Sequence, residues 1–320
     1  MNIVFMGTPE FAVPCLKMLI DSNHQVKAVF TQPDRPKGRG KQLAAPPVKI
    51  VAQKYEIPVF QPLKIKEEKF VQQLRNIEPD VIVVVAYGQI LSKEILEIPP
   101  YGCINVHASL LPKYRGAAPI QWAIINGEEC TGITTMYMNT GLDTGDMILR
   151  REVPISFDDT AGSLHDILSH VGAKVLKDTL ICIETGKVPR QKQNDEEATY
   201  APILKKSVGL ISWNQPALKI RNQIRGLSPW PSAYTYYREN MLKIWAAQVD
   251  TRSDDICKET PGQIIDITEQ GVVIQTGLGK LLLQEVQLQG KRRMTIQEFL
   301  RGNPMKKGEI LGENGSRSTK

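Results

Sequence analysis

The run VIVVVA at residues 81–86 constrains the fold most strongly, because it places five β-branched apolar residues in succession. A run without polar alternation is typical of a parallel strand covered on both faces. The N-terminal run NIVFM ends in Gly-Thr-Pro and is followed by apolar residues at positions 11, 13, 16 and 19, which share one face of a helix. This pattern predicts a strand, a tight turn and a helix, with Thr8 as the helix cap and Pro9 in its first turn.

The same alternation of strands and helices continues through the first part of the chain. Further strands are predicted at residues 25–31, 102–104 and 133–138, and helices at residues 47–54, 67–76 and 160–184. We therefore predict a doubly wound, Rossmann-like α/β domain. Ligands of such sheets bind beyond the carboxyl ends of the strands, which directs attention to residues 105–116 and 139–146.

The pattern changes after a polar stretch near residue 200, and a chain of 320 residues fits two domains. A helix at residues 217–226 precedes short alternating runs typical of a small barrel or sandwich. These runs lie at residues 232–237, 242–249, 262–267, 271–276 and 280–288. The predicted domains are residues 1–190 and 207–312, joined by a linker at 191–206 and followed by a disordered tail at 313–320.

Composition indicates a soluble globular protein, with 42% hydrophobic and 23% charged residues. The net charge of +6 is uneven. Residues 1–205 hold 23 Lys and Arg against 23 Asp and Glu, whereas residues 206–320 hold 17 against 11 and thus the whole excess. Five scattered cysteines and an N-terminus without a leader or membrane span predict a cytoplasmic protein with reduced thiols.

His107 and Asn105 are the leading candidates for chemistry, in the segment INVHASLLPKYRG. Two residues apart on extended chain, their side chains point to the same side. Acyl transfer to an amine needs a proton acceptor and a donor for the oxyanion, which a histidine and an asparagine supply. An acid would support the charged imidazole. Asp143 is the first candidate and Asp146 the alternative, although an ordinary Asp-Gly turn explains the loop equally well.

Other chemistries lack the motifs that they require. The sequence contains no G-x-S-x-G, no H-E-x-x-H and no Walker loop, and MGTPEF is not a dinucleotide-binding G-x-G-x-x-G. The four histidines show no metal-ligand spacing, so no metal is expected. Lys113 and Arg115 are either anion contacts or parts of a solvated loop.

A basic loop is predicted at residues 31–49, where positive charges recur among prolines and glycines. Its cations are Arg35, Lys37, Arg39 and Lys41. The segment has too little apolar content to form core. Together with the basic second domain it suggests a nucleic-acid backbone as partner, and a solvated surface loop is the alternative.

Six motifs together resemble the methionyl-tRNA formyltransferase family of bacterial enzymes, which formylate initiator tRNA. They are FMGTPEFA, FTQPDRPKGRGK, VVVAYGQIL, GCINVHASLLPKYRGAAPI, GLDTGDM and SPWPSAY. The resemblance extends from Met1 to about Met305. It implies 10-formyltetrahydrofolate as formyl donor, methionyl-initiator tRNA as acceptor, and a C-terminal OB-like β-barrel domain that binds tRNA. We expect a monomer without membrane attachment.

The resemblance also assigns roles to residues. The family's catalytic asparagine, histidine and aspartate fall on Asn105, His107 and Asp143. Its folate-binding residues correspond to Ser109, Leu110, Leu111 and Pro112, with a pterin pocket near Tyr87, Gly88, Ile90 and Leu91. The tRNA-binding residues are expected to be Arg35, Lys37, Arg39, Lys41, Lys205 and Lys206.

Three alternatives remain at this point. A folate formyltransferase acting on a small amine, such as glycinamide ribonucleotide or an amino sugar nucleotide, would use the same three catalytic residues. The long basic loop and the basic second domain argue for tRNA instead. A formyltetrahydrofolate hydrolase or dehydrogenase is less consistent with the chain length, and a non-catalytic RNA-binding protein is less consistent with the intact catalytic residues.

Overall fold

The computed structural model describes residues 1–37, 42–250 and 259–312, with the side chains of Lys37 and Gln42 excepted. Its contacts divide the chain into two units. Unit 1 comprises Met1–Pro119, Cys130–Pro154 and His165–Ala201, and unit 2 comprises Ile120–Glu129, Ile155–Leu164 and the described residues from Pro202 onward. Arg39, Lys41 and the predicted disordered tail at 313–320 lie outside the described residues.

Unit 1 contains a mixed sheet and the helices that flank it. The strands of the unit are β1 (Asn2–Gly7), β2 (Gln25–Phe30), β3 (Arg35–Lys37), β4 (Gln42–Ala44), β5 (Val59–Phe60), β6 (Val81–Val85), β7 (Cys103–His107), β8 (Arg115–Gly116), β9 (Cys130–Tyr137), β10 (Met147–Pro154) and β11 (Tyr200–Ala201). The main sheet has the order β10-β9-β7-β6-β1-β2-β5. Its pairings are parallel from β7 to β5, and β9 and β10 are antiparallel.

Eight α-helices follow along the described part of the chain. They are α1 (Val13–Ile20), α2 (Pro47–Lys54), α3 (Glu68–Ile77), α4 (Lys93–Leu96), α5 (Pro119–Ile125), α6 (Ala161–Glu184), α7 (Ala217–Gly226) and α8 (Ile296–Gly302). None of the helices in the described ranges is both long enough and apolar enough to cross a bilayer.

Burial explains why the sheet forms where the sequence predicts it. Every residue of β6 is at most 4% exposed, as the unbroken apolar run requires. On one face the strands pack into a core with Phe30, Leu74 and Ile95. The predicted doubly wound α/β domain is confirmed.

The structure corrects two local predictions. Thr8 does not cap a helix, because its hydroxyl donates to the carbonyl of Tyr87 (3.0 Å), which follows the neighbouring strand β6. A 3-10 turn at Glu10–Ala12 follows instead, and α1 begins only at Val13. The predicted strand at 102–104 is also too short: β7 extends to His107, so Asn105 and His107 belong to the strand and not to the loop after it.

Unit 2 holds a second, antiparallel sheet. Its strands are β12 (Ala233–Tyr237), β13 (Asn240–Asp250), β14 (Ile264–Thr268), β15 (Gly271–Gln275), β16 (Lys280–Leu288) and β17 (Met294–Thr295). They are ordered β12-β13-β16-β15-β14, with β17 against β16. α7 and α8 contribute to its core through residues such as Ile220 and Phe299. The prediction of a small β domain in the second part of the chain is confirmed.

Candidate active site

β7 places Asn105 and His107 at the carboxyl end of the parallel strands. The two residues lie two positions apart on an extended strand, so their side chains share one face of the sheet. Asn105 is paired with Val84 on β6 and with Met136 on β9, which fixes its position from both sides. Both side chains are buried, at 8% and 6% exposure. A buried amide and a buried imidazole are thus fixed side by side at the edge where ligands of such sheets bind.

Asp143 reaches the same place from the loop between β9 and β10. One carboxylate oxygen, Oδ1, accepts from Asn105 Nδ2 (3.3 Å), and the other, Oδ2, accepts from the backbone N–H of Gly116 (2.8 Å). Oδ2 also lies 3.7 Å from His107 Nδ1. The structure therefore brings together the three residues that the sequence predicted to be catalytic.

The loop of Asp143 needs glycine at position 145 for steric reasons. A Cβ atom on Gly145 would lie 1.7 Å from the carbonyl oxygen of Tyr137, much closer than two atoms can approach. Asp143 itself has a φ of +53°, in the left-handed region that non-glycine residues rarely adopt. The loop thus holds Asp143 in an uncommon backbone conformation, a feature often found at functional sites.

The imidazole of His107 is oriented by a backbone carbonyl. His107 Nε2 lies 2.9 Å from the carbonyl oxygen of Tyr114. Because a carbonyl oxygen can only accept, Nε2 donates and carries the proton of the neutral ring. The unprotonated Nδ1 then faces Asp143, and in the protonated ring it forms an ion pair with this carboxylate. Nδ1 is the ring nitrogen that can accept a proton.

The segment from Ser109 to Pro112 is fixed by internal bonds. Ser109 is fully buried and its hydroxyl donates to the carbonyl of Lys113 (2.6 Å). Thr134 on β9 donates to the carbonyl of Ser109 (2.7 Å) and accepts from the N–H of Leu111 (3.1 Å). Leu111 packs with Met136 and Met147, Pro112 is buried, and Leu110 is half-buried. The segment is a rigid turn beside β7.

The residues predicted to line a pterin pocket fall into two groups. The side chains of Tyr87 and Leu91 are 2% and 3% exposed and belong to the core beneath the sheet. Gly88 is exposed with a φ of +85°, and Ile90 is 84% exposed. Burial raises the pKa of the Tyr87 phenol. This segment therefore offers its backbone and Ile90 to a ligand, whereas Tyr87 and Leu91 support it from below.

A cavity of about 410 Å³ opens at the carboxyl ends of β1, β2 and β6. Its lining comes from residues 8–9, 32–33, 35–36, 44–47 and 86–88 and is rich in proline and alanine. Thr8 and the side chain of Gln32 both donate to the carbonyl of Tyr87 (3.0 and 3.2 Å), which ties these strand ends together. The cavity lies on the same edge of the sheet as Asn105, because β6 and β7 run parallel and adjacent.

The predicted tRNA-binding residues are described only in part. Arg35 is exposed and donates to Gln32 Oε1 (3.1 Å), and Lys205 and Lys206 of unit 2 are exposed as well. Lys37 is described only by its backbone in β3, while Arg39 and Lys41 lie outside the described residues. At the base of the basic loop, the Lys49 ammonium and the Gln61 amide lower the pKa of the Asp34 carboxyl by hydrogen bonding.

Several site residues were missed by sequence reasoning. Gln193 contacts the loop of Asp143 from 50 positions away in the chain, and it contacts Arg115 across 78 positions. Tyr114 and Gly116 act through main-chain groups, which any residue type carries. No local sequence signal could have found these contacts. In the described ranges, no group of three or more His, Cys, Asp or Glu side chains is arranged to hold a metal ion.

Family models cover most of the chain. The model described as "Formyl transferase" matches residues 1–180, and the model described as "Formyl transferase, C-terminal domain" matches residues 203–304. The chain belongs to the formyl transferase family. Asn105, His107 and Asp143 all lie within the first of these matches.

Curated relatives match the chain over nearly its full length. It is 54% identical over 313 residues to the methionyl-tRNA formyltransferase of Alkaliphilus oremlandii, covering 98% of this chain and all of the relative. It is 53% identical over 312 residues to that of Clostridioides difficile, with the same coverage. The resemblance that the sequence motifs indicated is confirmed.

Solved structures of other formyltransferases share the fold. WlaRD, a sugar 3N-formyltransferase whose structure was determined in the presence of dTDP and 5-N-formyl-THF, has a TM-score of 0.69 at 21% identity, covering 91% of this chain and 99% of its own. An N-formyltransferase from Helicobacter canadensis, in complex with folinic acid and dTDP-3-aminofucose, has a TM-score of 0.64 at 19% identity, covering 88% and 98%. At these identities the likeness is one of fold.

Proposed function

We propose that this formyl transferase moves the formyl group of 10-formyltetrahydrofolate to the α-amino group of methionyl-initiator tRNA, for the initiation of translation. The convergence of Asn105, His107 and Asp143 at one buried edge of the sheet carries the chemical part of this proposal. The full-length relatives, named methionyl-tRNA formyltransferases at 53–54% identity, support the choice of acceptor.

Asn105 stabilises the negative charge that develops on the formyl oxygen. As the amine attacks, the formyl oxygen becomes an oxyanion, which a pre-positioned amide N–H stabilises better than water does. Asn105 Nδ2 carries two hydrogens, and one is directed at Asp143 Oδ1 over 3.3 Å. The other is available to the formyl oxygen. The bond to Asp143 thus orients the amide for its second donor function.

His107 accepts the proton that the attacking amine releases. The neutral α-amine forms a bond to the formyl carbon, and its excess proton passes to Nδ1, the acceptor nitrogen of the ring. The carboxylate of Asp143, 3.7 Å away, supports the imidazolium that results. The bond between the formyl carbon and N10 of the folate then breaks, and the leaving nitrogen takes the proton. Tetrahydrofolate and the formylated amine are the products.

Folate binding falls to the two segments beside β7. The turn from Ser109 to Pro112 is rigid, and Gly88 and Ile90 are exposed, whereas Tyr87 and Leu91 are buried beneath them. We assign the contact with the pterin to the backbone of residues 88–91 and to Ile90. Tyr87 and Leu91 support this contact without reaching the ligand with their side chains.

The tRNA is bound by positive charge outside the catalytic residues. Arg35, Lys37, Arg39 and Lys41 supply it in the first domain, and Lys205 and Lys206 at the end of the linker supply it together with the OB-like second domain. In this division, residues 1–190 carry the chemistry, 191–206 connect, and 207–312 bind tRNA. We place the protein in the cytoplasm, where charged initiator tRNA is used, and we propose that it is a monomer without membrane attachment.

An acceptor assay tests the proposal. The protein is incubated with a donor labelled in its formyl group and with methionyl-initiator tRNA, uncharged tRNA, glycinamide ribonucleotide or an amino sugar nucleotide. Label should appear on the charged tRNA and on none of the others. Formyl transfer to a small amine alone would contradict the choice of acceptor, and the absence of transfer to any of them would contradict the reaction.

A further inference from the structure

The segment of residues 191–201 does more than connect the two domains. β11 within it pairs with β8, so that Tyr200 and Ala201 lie beside Arg115 and Gly116. Thr199 accepts from the N–H of Tyr114 through its hydroxyl (2.9 Å) and from the N–H of Arg115 through its carbonyl (2.8 Å). The segment is therefore hydrogen-bonded to the residues that contact His107 and Asp143.

Gln193 of this segment bonds to the loop of Asp143. Its side-chain amide nitrogen donates to the carbonyl oxygens of Asp143 and Gly145, each over 2.8 Å. Its Oε1 accepts from the Nε–H of Arg115 (3.0 Å). Because arginine can only donate, this bond turns the oxygen of the amide toward Arg115 and leaves both N–H groups for the two carbonyls. All three bonds of the amide are thus mutually consistent.

Arg115 is itself held in place. It is 2% exposed, and its terminal nitrogen donates to Asp195 Oδ1 (2.7 Å) at the rim of the segment. Its chain neighbours are Tyr114, whose carbonyl orients His107, and Gly116, whose N–H binds Asp143. These hydrogen bonds form a continuous network that connects His107 to residues 114–116, Gln193 and Asp143.

This hydrogen-bond network explains how Asp143 keeps its positive φ. A non-glycine residue with positive φ persists only when its surroundings determine it. The carboxylate is held by Asn105 and Gly116, but these bonds do not fix the backbone of the loop. Gln193 binds the carbonyl of Asp143 itself. Its side chain therefore holds the main chain of Asp143 directly, in register with His107.

We propose that Gln193, held by Arg115, is a positioning residue that fixes Asp143 relative to His107 and Asn105 for formyl transfer. The inference rests on the proposed function of these three residues. It makes residues 193–201 a part of the catalytic structure. Gln193 touches neither substrate in this account and acts through Asp143.

Two substitutions separate the roles of the amide. Gln193→Met keeps the length of the side chain and removes all three bonds, while Gln193→Glu keeps the acceptor for Arg115 and removes both donors. We expect each to lower kcat about tenfold or more and to leave KM for the acceptor within about twofold, because the lost contact orients a catalytic group. Gln191→Met, a change at an exposed glutamine two positions earlier, is the matched control and should leave both values unchanged.

A double substitution distinguishes positioning from a general structural role. If Gln193 acts through Asp143, Gln193→Met should cost little further activity once Asp143→Asn is present, since the two effects are not additive. Additive losses would overturn the proposal. Thermal unfolding of each variant within roughly 2–4 °C of the parent shows that the fold is retained.

A structural readout stands independently of the reaction. The amide hydrogen of Gly116 is bonded to Asp143 Oδ2, so its exchange with solvent reports whether Asp143 remains in place. Exchange should be at least about tenfold faster in Gln193→Met than in the parent or in Gln191→Met. Unchanged exchange would contradict the positioning role even if the acceptor differs from methionyl-tRNA. Faster exchange in a protein without formyl transfer would instead contradict the proposed function alone.

Discussion

The proposed catalytic residues and the proposed tRNA-binding residues of this protein are held in opposite ways. Asn105 and His107 are at most 8% exposed and have fixed partners, and Asp143 is bound by both carboxylate oxygens. Arg35, Lys205 and Lys206 are exposed. Bond-making requires atoms positioned to within tenths of an ångström, whereas attraction of a polyanion acts over about 10 Å and tolerates mobile side chains. In the proposed function, formyl transfer therefore depends on precise positioning, whereas attraction of tRNA depends on long-range electrostatics.

Removal of a catalytic side chain should have the largest effect. We expect His107→Ala or Asn105→Ala to lower turnover by roughly a hundredfold or more, because each removes a group that acts in the transition state. Binding of tRNA should persist, and the loss should be the same at low and high salt. Steady-state kinetics with a parallel tRNA-binding assay checks this. Near-normal turnover in either variant would remove that residue from the centre.

Gly145→Ala should disturb the catalytic region through the backbone. The added Cβ would overlap the carbonyl of Tyr137, so the loop must shift and carry Asp143 with it. We expect kcat to fall about tenfold to a hundredfold, as a displacement of about 1 Å can cause. Gly302→Ala is the control, since nothing lies within 4 Å of its Cβ, and it should retain full activity. Equal activity in the two variants would show that the loop tolerates the shift.

The basic residues should respond to salt. Lys205→Ala, Lys206→Ala and Arg39→Ala should each lower kcat/KM for methionyl-tRNA several-fold at low salt and reduce the salt slope by about one, as expected for a lost phosphate contact. Turnover at saturating tRNA should change little. Measurement of kcat/KM from about 50 to 200 mM salt checks this. An unchanged slope in a variant would exclude its residue as a phosphate contact.

A change at the N-terminal cap of α8 should affect stability alone. Thr295 caps α8 and forms a reciprocal pair with Glu298, so Thr295→Ala should lower the free energy of unfolding by about 1 kcal/mol. Formyl transfer at 25 °C should be unaltered. Denaturant unfolding and the formylation assay together measure both quantities. A loss of activity without a loss of stability would link α8 to one of the two regions.

Local patterns predicted much of the fold because they reflect local physics. The apolar run at 81–86 and the alternating runs near the C-terminus identified strands to within two residues at each end. Failures occurred where a distant partner decided the outcome. Thr8 bonds to Tyr87 instead of capping a helix, and β7 extends to His107 because β9 pairs with it along its length. β10 was missed, since three consecutive charged residues obscure it.

The sequence by itself determined the chemical inventory: an asparagine and a histidine two positions apart, an acid among glycines, and positive charge concentrated in a loop and a second domain. Residue types and short spacings are local properties, so they can be recognised without a structure. Only the tertiary structure showed the contacts: Asp143 bonds to Asn105 beside His107, the carbonyl of Tyr114 orients the imidazole, and Gln193 bonds to the loop of Asp143. These contacts join residues up to 50 positions apart or use main-chain atoms, and neither leaves a pattern in the sequence.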